Sequence, residues 1–279
     1  MSSLVIMIIF IISILLAIPV SISLGIASVL PGALDPSFTA SGQFVIRSMV
    51  GGIDSFPLIA VPMFVLSGII MARGGISEKI FDVFSLLFGR FPAGIPCSVV
   101  ATCMFFGAIS GSGPATVAAV GSMTIPVLTA LGYDRKFSTA IVAVAGGIGV
   151  IIPPSIPFIM YAMASGQSVS SLFIAGIMPG LLISLLLMIY CILYCIRNGE
   201  DRTLIDKRIQ ELHDRGISSV IRDSLSALMA PVIVLGCIYA GITSPTEAAV
   251  ISVFYSVAVS MLIYRSLRVS DMKEIISEA

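Results

Sequence analysis

Long runs without a charged residue alternate with short polar joints along this chain. The charge-free runs cover residues 1–34, 55–72, 91–133 and 137–196, and the run 224–264 contains Glu247 as its one charge. A membrane-spanning helix needs about 20 mostly apolar residues to cross a hydrocarbon core of ~30 Å. The pattern therefore predicts an all-α membrane protein, a polytopic helical bundle.

The basic residues indicate how these runs thread the bilayer. One simple threading places every lysine and arginine except Arg47 on one side, which the positive-inside rule makes cytoplasmic. It puts the joint 31–54 in the opposite compartment. Its helical segments are a first span at about 4–30, then 56–72, a returning hairpin 91–132, and 138–165, 172–196, 225–242 and 247–264. The first run is too long for a signal-peptide core, so we expect it to remain in the membrane.

The stretch 197–223 is the most polar part of the chain. It contains six basic residues, six acidic residues and His213, the one histidine. This pattern is typical of a solvated amphipathic connector on the cytoplasmic side. A metal site at His213 would need partners that the neighbouring sequence does not supply.

The run 91–133 is interrupted in its middle by Ser110-Gly111-Ser112-Gly113-Pro114. Pro114 suits the first turn of a following half-helix, with Ser112 or Gly113 as its N-cap and Gly132 as its C-cap. The positive end of that half-helix favours an anion such as a carboxylate. The alternative is an ordinary two-span hairpin with a small-residue turn outside the membrane.

The second interruption is GGIGVIIPPSIP at residues 146–157. Pro153 and Pro154 lack the N–H groups that would bond the carbonyls of Gly149 and Val150, so we expect those oxygens to be free. Transporters use such unwound segments to coordinate Na⁺ near the bilayer midplane. The structural alternative is a proline kink whose carbonyls are satisfied by Ser or Thr side chains or by water.

Composition and motifs exclude several other functions. The chain has 279 residues, 57% hydrophobic and 11% charged, with zero net charge, so there is no basic field for nucleic acid. It has no phosphate-binding G-x-x-x-x-G-K-[ST], and His213 cannot reach Ser110 to form a serine-protease pair, so we expect no enzyme. Ser244-Pro245-Thr246-Glu247 predicts a capping box, an interpretation that we favour over a functional role for Glu247 as an ionisable residue near a span. All cysteines lie in apolar runs and are expected to be buried thiols: Cys97, Cys103, Cys191, Cys195 and Cys237.

Several stretches in this order resemble the large membrane subunit of the tripartite ATP-independent periplasmic (TRAP) transporters. They are DSFP at 54–57 with AVPMF at 60–64, FGAISGSG at 106–113, IP at 125–126, GYD at 132–134, IPPSIP at 152–157, LFIAGIMPG at 172–180 and SPTEAA at 244–249. Each match is weak by itself, but together they cover nearly the whole chain.

The resemblance implies an elevator-type ion transporter fold with a re-entrant helical hairpin and an unwound helix. It implies a permease subunit of a Na⁺-coupled symporter in the bacterial inner membrane, which imports an organic acid anion such as a dicarboxylate or a sugar acid. Its implied partners are a periplasmic substrate-binding protein and a small TRAP membrane subunit. The implied Na⁺ ligands are Ser110, Ser112, Gly149, Ile152 and Pro154, with substrate contacts at Gly111, Gly113, Pro114 and Ser155.

The chain departs from the family in two ways. Many members have an alanine-aspartate pair shortly after the serine-glycine-serine, where this chain has Pro114-Ala115-Thr116. Family members also continue into a second inverted repeat, so we expect residues 1–196 to be the first repeat, 197–223 the connector, and 224–279 a connecting helix with the first helix of the second repeat. Two alternatives remain open: a single-component Na⁺/dicarboxylate symporter, and a non-transporting membrane scaffold.

Overall fold

The computed structural model describes residues 3–34, 42–214 and 216–279, and this part of the chain is helical throughout, with short joints. The α-helices are α1 (Ser3–Leu15), α2 (Val20–Leu34), α3 (Gly42–Ile53), α4 (Ala60–Arg73), α5 (Ile76–Phe88), α6 (Gly94–Ser110), α7 (Gly113–Ala130), α8 (Arg135–Ile148), α9 (Ile156–Ser165), α10 (Val169–Asn198), α11 (Arg202–Asp214), α12 (Ile217–Tyr239), α13 (Pro245–Ala258) and α14 (Met272–Glu278). A 3₁₀ turn, Phe56–Ile59, leads into α4, and a π-helical turn, Val259–Ile263, extends α13.

The predicted all-α membrane architecture is confirmed. Among the described residues, five helical segments are long and apolar enough to cross a bilayer: Phe56–Arg73, Gly113–Ala130, Val169–Asn198, Ile217–Tyr239 and Pro245–Ile263. Large apolar side chains point outward along α10, including Leu182, Leu186 and Leu193. Such a surface is stable against lipid rather than against water.

The single span predicted at about 4–30 is wrong. α1 ends at Leu15, Ala17 takes a left-handed conformation with φ 58°, and α2 begins after Pro19. The two helices pack against each other. With a rise of ~1.5 Å per residue, neither helix alone reaches across a ~30 Å core. Residues 35–41 of the predicted joint 31–54 lie outside the described residues, and α3 occupies most of the remainder.

The chain divides into two compact units, residues 1–55 and residues 56–279. Within the second unit, α6 is the central helix, since it packs against α4, α5, α7, α8, α10 and α12. All of its residues are buried except Met104 and Phe105, which are partly buried. The hairpin formed by α6 and α7 is therefore held by the body of this unit, and its tip cannot project freely.

Small hydroxyl side chains join α4 to α13. Ser67 Oγ lies 2.6 Å from Ser252 Oγ and 2.8 Å from Ser256 Oγ, and all three side chains are buried. Serine pairs of this kind allow close helix packing inside a membrane protein.

At the start of α13, the Ser244 amide donates to Glu247 Oε2 at 2.7 Å, and the Glu247 amide donates to Ser244 Oγ at 3.3 Å. The capping box predicted for Glu247 is therefore confirmed.

The polar stretch after α10 forms the amphipathic helix α11, which buries Ile205, Ile209 and Leu212. α12 begins at Ile217, within the stretch predicted to be connector, and its first buried residues are Val220 and Ser224. The expectation of buried thiols holds for Cys97, Cys103, Cys191 and Cys195, whereas Cys237 is half-buried.

Candidate functional site

The tip of the α6–α7 hairpin has the capped geometry expected from its sequence. Gly111 ends α6 in the left-handed region with φ 63°, and its amide donates to the Gly107 carbonyl at 2.8 Å. Ser112 is the N-cap of α7, and its Oγ accepts from the Ala115 amide at 3.5 Å. Pro114 occupies the first turn of α7, as predicted. Gly132 lies just beyond the cap residue of α7, with φ 89°.

The second interruption separates α8 from α9. α8 ends at Ile148, and α9 starts at Ile156 with Ser155 as its N-cap. Ser155 Oγ accepts from the Phe158 amide at 3.3 Å and donates to the Val150 carbonyl at 2.5 Å. The prediction that a straight helix cannot pass through this sequence is confirmed.

The prediction that the Val150 carbonyl is free is wrong, because the Ser155 hydroxyl reaches back five residues to bond it. The carbonyls of Gly149, Ile152 and Pro154 accept no hydrogen bond from any residue in the described ranges. These three are the backbone oxygens that the family resemblance assigns to Na⁺. Proline at positions 153 and 154 removes the amides that would otherwise bond the carbonyls of residues 149 and 150 in a continuous helix.

The two interruptions meet in space. The Ile156 amide donates to the Gly111 carbonyl at 3.2 Å, which joins the start of α9 to the hairpin tip. Behind the tip, a Cβ added to Gly107 would lie 2.2 Å from Gly149 Cα, and one added to Gly111 would lie 2.9 Å from the Pro154 carbonyl oxygen. Glycine is required at these contacts because the two backbones approach each other directly.

Four helix ends converge at this point. α7 and α9 present their N-termini, and they begin in the same way: Ser112 has φ −131° and ψ 122°, and Ser155 has φ −127° and ψ 121°. α6 and α8 present their C-termini. N-terminal ends carry partial positive charge and C-terminal ends partial negative charge. The arrangement can therefore accommodate an anion and a cation side by side.

A cluster of hydroxyl groups lies within the convergence. Ser110 Oγ is 3.1 Å from Thr116 Oγ1, and Thr116 Oγ1 donates to the Ser112 carbonyl at 2.8 Å. A Cβ on Gly149 would lie 2.8 Å from Thr116 Oγ1, so this hydroxyl touches the unwound segment. Ser110 and Thr116 are buried. Hydroxyl oxygens keep acceptor lone pairs while they donate, so the cluster can still coordinate a cation.

Thr116 was missed by the sequence analysis, which took it as part of a departure from the family pattern. A signal for it exists. Four residues after the N-cap Ser112, its hydroxyl can bond the Ser112 carbonyl, which also accepts the Thr116 amide at 3.0 Å.

The predicted site residues occupy one buried region with a single exposed edge. Ser112 is half-buried and Pro114 is exposed. The other predicted site residues are buried: Ser110, Gly111, Gly113, Gly149, Ile152, Pro154 and Ser155. The Ile152 side chain lies against Gly180 on α10, and as a hydrocarbon it offers no ligand atom. For Ile152, only the backbone carbonyl is therefore a candidate ligand.

An apolar cavity of about 180 Å³ lies between α6, α10 and α12. Its lining residues are Met104, Phe105, Ala108, Ile152, Ile177, Leu181, Pro231, Val232 and Leu235. The lining contains no charged or hydroxyl side chain that could recognise an anion.

In the part of the chain that the structure describes, no three His, Cys, Asp or Glu side chains are grouped to hold a metal ion. His213 Nε2 lies 3.3 Å from Arg90 Nη2.

Comparison with known proteins identifies the family. The chain is 39% identical over 274 residues to the isethionate TRAP transporter permease protein DctMQ of Oleidesulfovibrio alaskensis, covering 97% of this chain and 41% of that protein. It is 39% identical over 263 residues to the ectoine TRAP transporter large permease protein TeaC of Halomonas elongata, covering 92% and 59%. It is 37% identical over 232 residues to the C4-dicarboxylate TRAP transporter large permease protein DctM of Pseudomonas aeruginosa, covering 81% and 52%.

The chain thus spans about half the length of the curated relatives it matches. These relatives are named as permeases, in agreement with the expectation that the chain is not an enzyme. The family model of the DctM component of the tripartite ATP-independent periplasmic transporter matches residues 7–279. The chain belongs to this transporter family and is a multi-pass membrane protein of the DctM type.

Proposed function

We propose that the chain forms part of the permease of a Na⁺-coupled secondary transporter in the bacterial inner membrane. The permease imports an organic acid that a periplasmic binding protein delivers, and it works with a small TRAP membrane subunit. The observation that carries the proposal is the contact between Ile156 and Gly111, which brings four helix ends and the free carbonyls of the unwound segment together.

Sodium binds, in this proposal, between the hairpin tip and the unwound segment. The ligands are the Ser110 hydroxyl, the oxygens of Ser112, and the carbonyls of Gly149, Ile152 and Pro154. The geometry supports adding the Thr116 hydroxyl to this set, because it touches both Ser110 and Gly149. Unwound carbonyls and half-helix C-termini are the groups by which transporters hold Na⁺.

The organic acid binds at the exposed edge of the same region. Gly111, Gly113, Pro114 and Ser155 lie where the positive ends of α7 and α9 meet, and Pro114 is exposed. Helix N-termini favour carboxylates and other anions through the partial positive charge of the helix dipole. The named relatives carry isethionate, ectoine and C4-dicarboxylates, so the proposal is confined to the class of organic acids.

The burial of the α6–α7 tip supports a re-entrant hairpin. The alternative is a hairpin of two spans that turns outside the membrane. Ser110 is 1% exposed and Gly111 is buried against residues 154–156. A turn in water would have no reason to bury its hydroxyls. Co-binding of Na⁺ then provides the driving force, since each net charge moved through 100 mV is worth ~2.3 kcal/mol, or roughly fiftyfold accumulation.

The test is uptake of a radiolabelled C4-dicarboxylate into proteoliposomes containing the complete transporter, with its binding protein and small subunit present. We expect uptake with an inward Na⁺ gradient and none with a K⁺ gradient, and Ser110→Ala should lower uptake at limiting Na⁺. Ser122→Ala is the matched control, because Ser122 is exposed on α7 and bonds only its own helix. Uptake that is indifferent to Na⁺, or that proceeds fully without the binding protein, would contradict the proposal.

A further inference from the structure

The base of the hairpin, at the opposite end from the tip, is held by one carboxylate. Glu200 lies between α10 and α11, and its side chain is only 6% exposed. The Ala93 amide donates to both of its oxygens at 3.1 Å, and the Tyr133 hydroxyl donates to Oε1 at 2.5 Å. Arg202 Nη2 lies 3.0 Å from Oε2.

These contacts reach both ends of the hairpin. Ala93 is the residue immediately before α6, and Tyr133 follows α7 by three residues. The carboxylate therefore neutralises the positive N-terminal end of α6, which is a favourable position for a negative charge. At the same time it anchors the chain that leaves α7.

The joint between α10 and α11 is attached to the hairpin base by further contacts. Arg202 Nη1 donates to the Phe91 carbonyl at 3.3 Å, two residues before Ala93. Arg208 Nη2 lies 3.3 Å from Asp82 Oδ1, which joins α11 to α5. Ile209 packs against Gly89, in the turn that precedes α6. Glu200 is the centre of this group because its carboxylate bonds both Ala93 and Tyr133, one at each hairpin end.

We propose that Glu200 is a positioning residue for transport, which fixes the two ends of the hairpin base to the end of α10 so that hairpin and α10 move as one body. The inference rests on the proposed function in that the hairpin carries the transport site. α6 is a continuous buried helix from Gly94 to Ser110, so a displacement at its base is transmitted along its axis to the tip. Loss of the carboxylate uncouples the hairpin from α10.

The first experiment measures amide hydrogen exchange in the purified chain and needs no transport. Glu200→Gln and Tyr133→Phe should each accelerate exchange at residues 93–97 and 131–134 by about tenfold, because each removes a bond that holds the base. Glu211→Gln is the matched control, because Glu211 is an exposed carboxylate on α11. Unchanged exchange at both segments in Glu200→Gln overturns the proposal.

The second experiment separates positioning from simple stability in the complete transporter. In Glu200→Gln, the maximal uptake rate per folded transporter should fall by about tenfold while the half-saturating Na⁺ concentration stays within about twofold. Glu200→Asp, which keeps the charge, should recover part of the rate. An unchanged maximal rate per folded transporter overturns the proposal. If the wild type shows no Na⁺ dependence, the proposed function fails, whereas the exchange experiment and the maximal rate still decide the role of Glu200.

Discussion

The amide of Ile156 donates a hydrogen bond to the carbonyl of Gly111, with 3.2 Å between nitrogen and oxygen. This bond joins the first residue of α9 to the turn between α6 and α7, although the two residues are far apart in sequence. It makes the hairpin tip and the unwound segment a single structural unit. Any change that separates them should affect both.

Close backbone contact between Gly107 and Gly149 provides a first prediction. Gly107→Ala would place a Cβ 2.2 Å from Gly149 Cα, and neither backbone can move without disturbing α6 or the unwound segment. We expect a loss of about 1–3 kcal/mol in the free energy of unfolding, or more, from overpacking. Thermal unfolding in detergent measures it.

Gly147→Ala is the control for that change. Gly147 lies on α8 close to the same contact, but a Cβ there would meet no atom within 4 Å. Because alanine has the higher helix propensity by ~1 kcal/mol, the variant should be as stable as the wild type or slightly more stable. Equal losses of unfolding free energy in Gly107→Ala and Gly147→Ala would show that the close approach of Gly107 to Gly149 is not the cause of the destabilisation.

The hydroxyl of Thr116 provides a second prediction. If it contributes to Na⁺ binding, Thr116→Val should raise the half-saturating Na⁺ concentration about tenfold, the equivalent of ~1.4 kcal/mol. Thr116→Ser keeps the hydroxyl and should retain most of the affinity. The control is Thr124→Val, since Thr124 is buried on the same helix and bonds only the Val120 carbonyl at 2.7 Å. The effect is measured by titrating the protein with Na⁺ and following how far the amides of the hairpin tip become protected from hydrogen exchange.

Ser155 provides a third prediction, about stability. Its hydroxyl caps α9 and bonds the carbonyl of the half-buried Val150, so Ser155→Ala removes a cap and leaves that acceptor without its donor. We expect a destabilisation of ~2–4 kcal/mol, the sum of a cap of ~1 kcal/mol and a buried unsatisfied group of ~1–3 kcal/mol.

Ser168→Ala is the matched cap variant, because Ser168 caps the exposed start of α10 and bonds only the Ser171 amide. Its cost should be limited to ~1 kcal/mol, as for an ordinary cap. Thermal unfolding of both variants decides the matter, and the interpretation fails if Ser155→Ala costs no more than Ser168→Ala.

Much of the site followed from the positions of proline and glycine. The Gly111 turn, the Ser112 and Pro114 start of α7, and the interruption at Pro153 and Pro154 depend on local backbone chemistry, which sequence reveals. The Val150 carbonyl was misassigned because its donor, Ser155, reaches it only when the chain folds back. Glu200 depends on contacts between distant segments, which no local pattern encodes. The bond of Thr116 to Ser112 is local, but its contact with Gly149 also joins distant segments. The division of the first apolar run arises at Ala17, a residue with no turn preference of its own.

Alkaline pH provides a fourth prediction, at the hairpin base. Burial, followed by the hydrogen bond to Glu200, raises the pKa of Tyr133 above its ordinary value of 10.0. The folded state therefore keeps the proton where the unfolded state loses it. The contribution of Tyr133 to the free energy of unfolding is therefore fully present below the unfolded pKa of 10.0. It declines as the pH rises from there toward the folded pKa.

The comparison that isolates this group is the wild type against Tyr133→Phe. The stability difference between the two should be constant from about pH 7 to pH 9 and should shrink between about pH 10 and pH 11. Thermal unfolding across this range measures it. A difference that stays constant, or grows, above pH 10 would show that folding does not raise the pKa of Tyr133.

The most direct test of the central claim is a sodium titration of the purified chain followed by hydrogen exchange at residues 108–116 and 147–157 together. At constant ionic strength, Na⁺ should protect both segments with the same midpoint, and K⁺ should protect neither. Ser110→Ala should shift both midpoints equally. Sodium that protects neither segment, or that protects them at different concentrations, would contradict a shared site between the hairpin tip and the unwound helix.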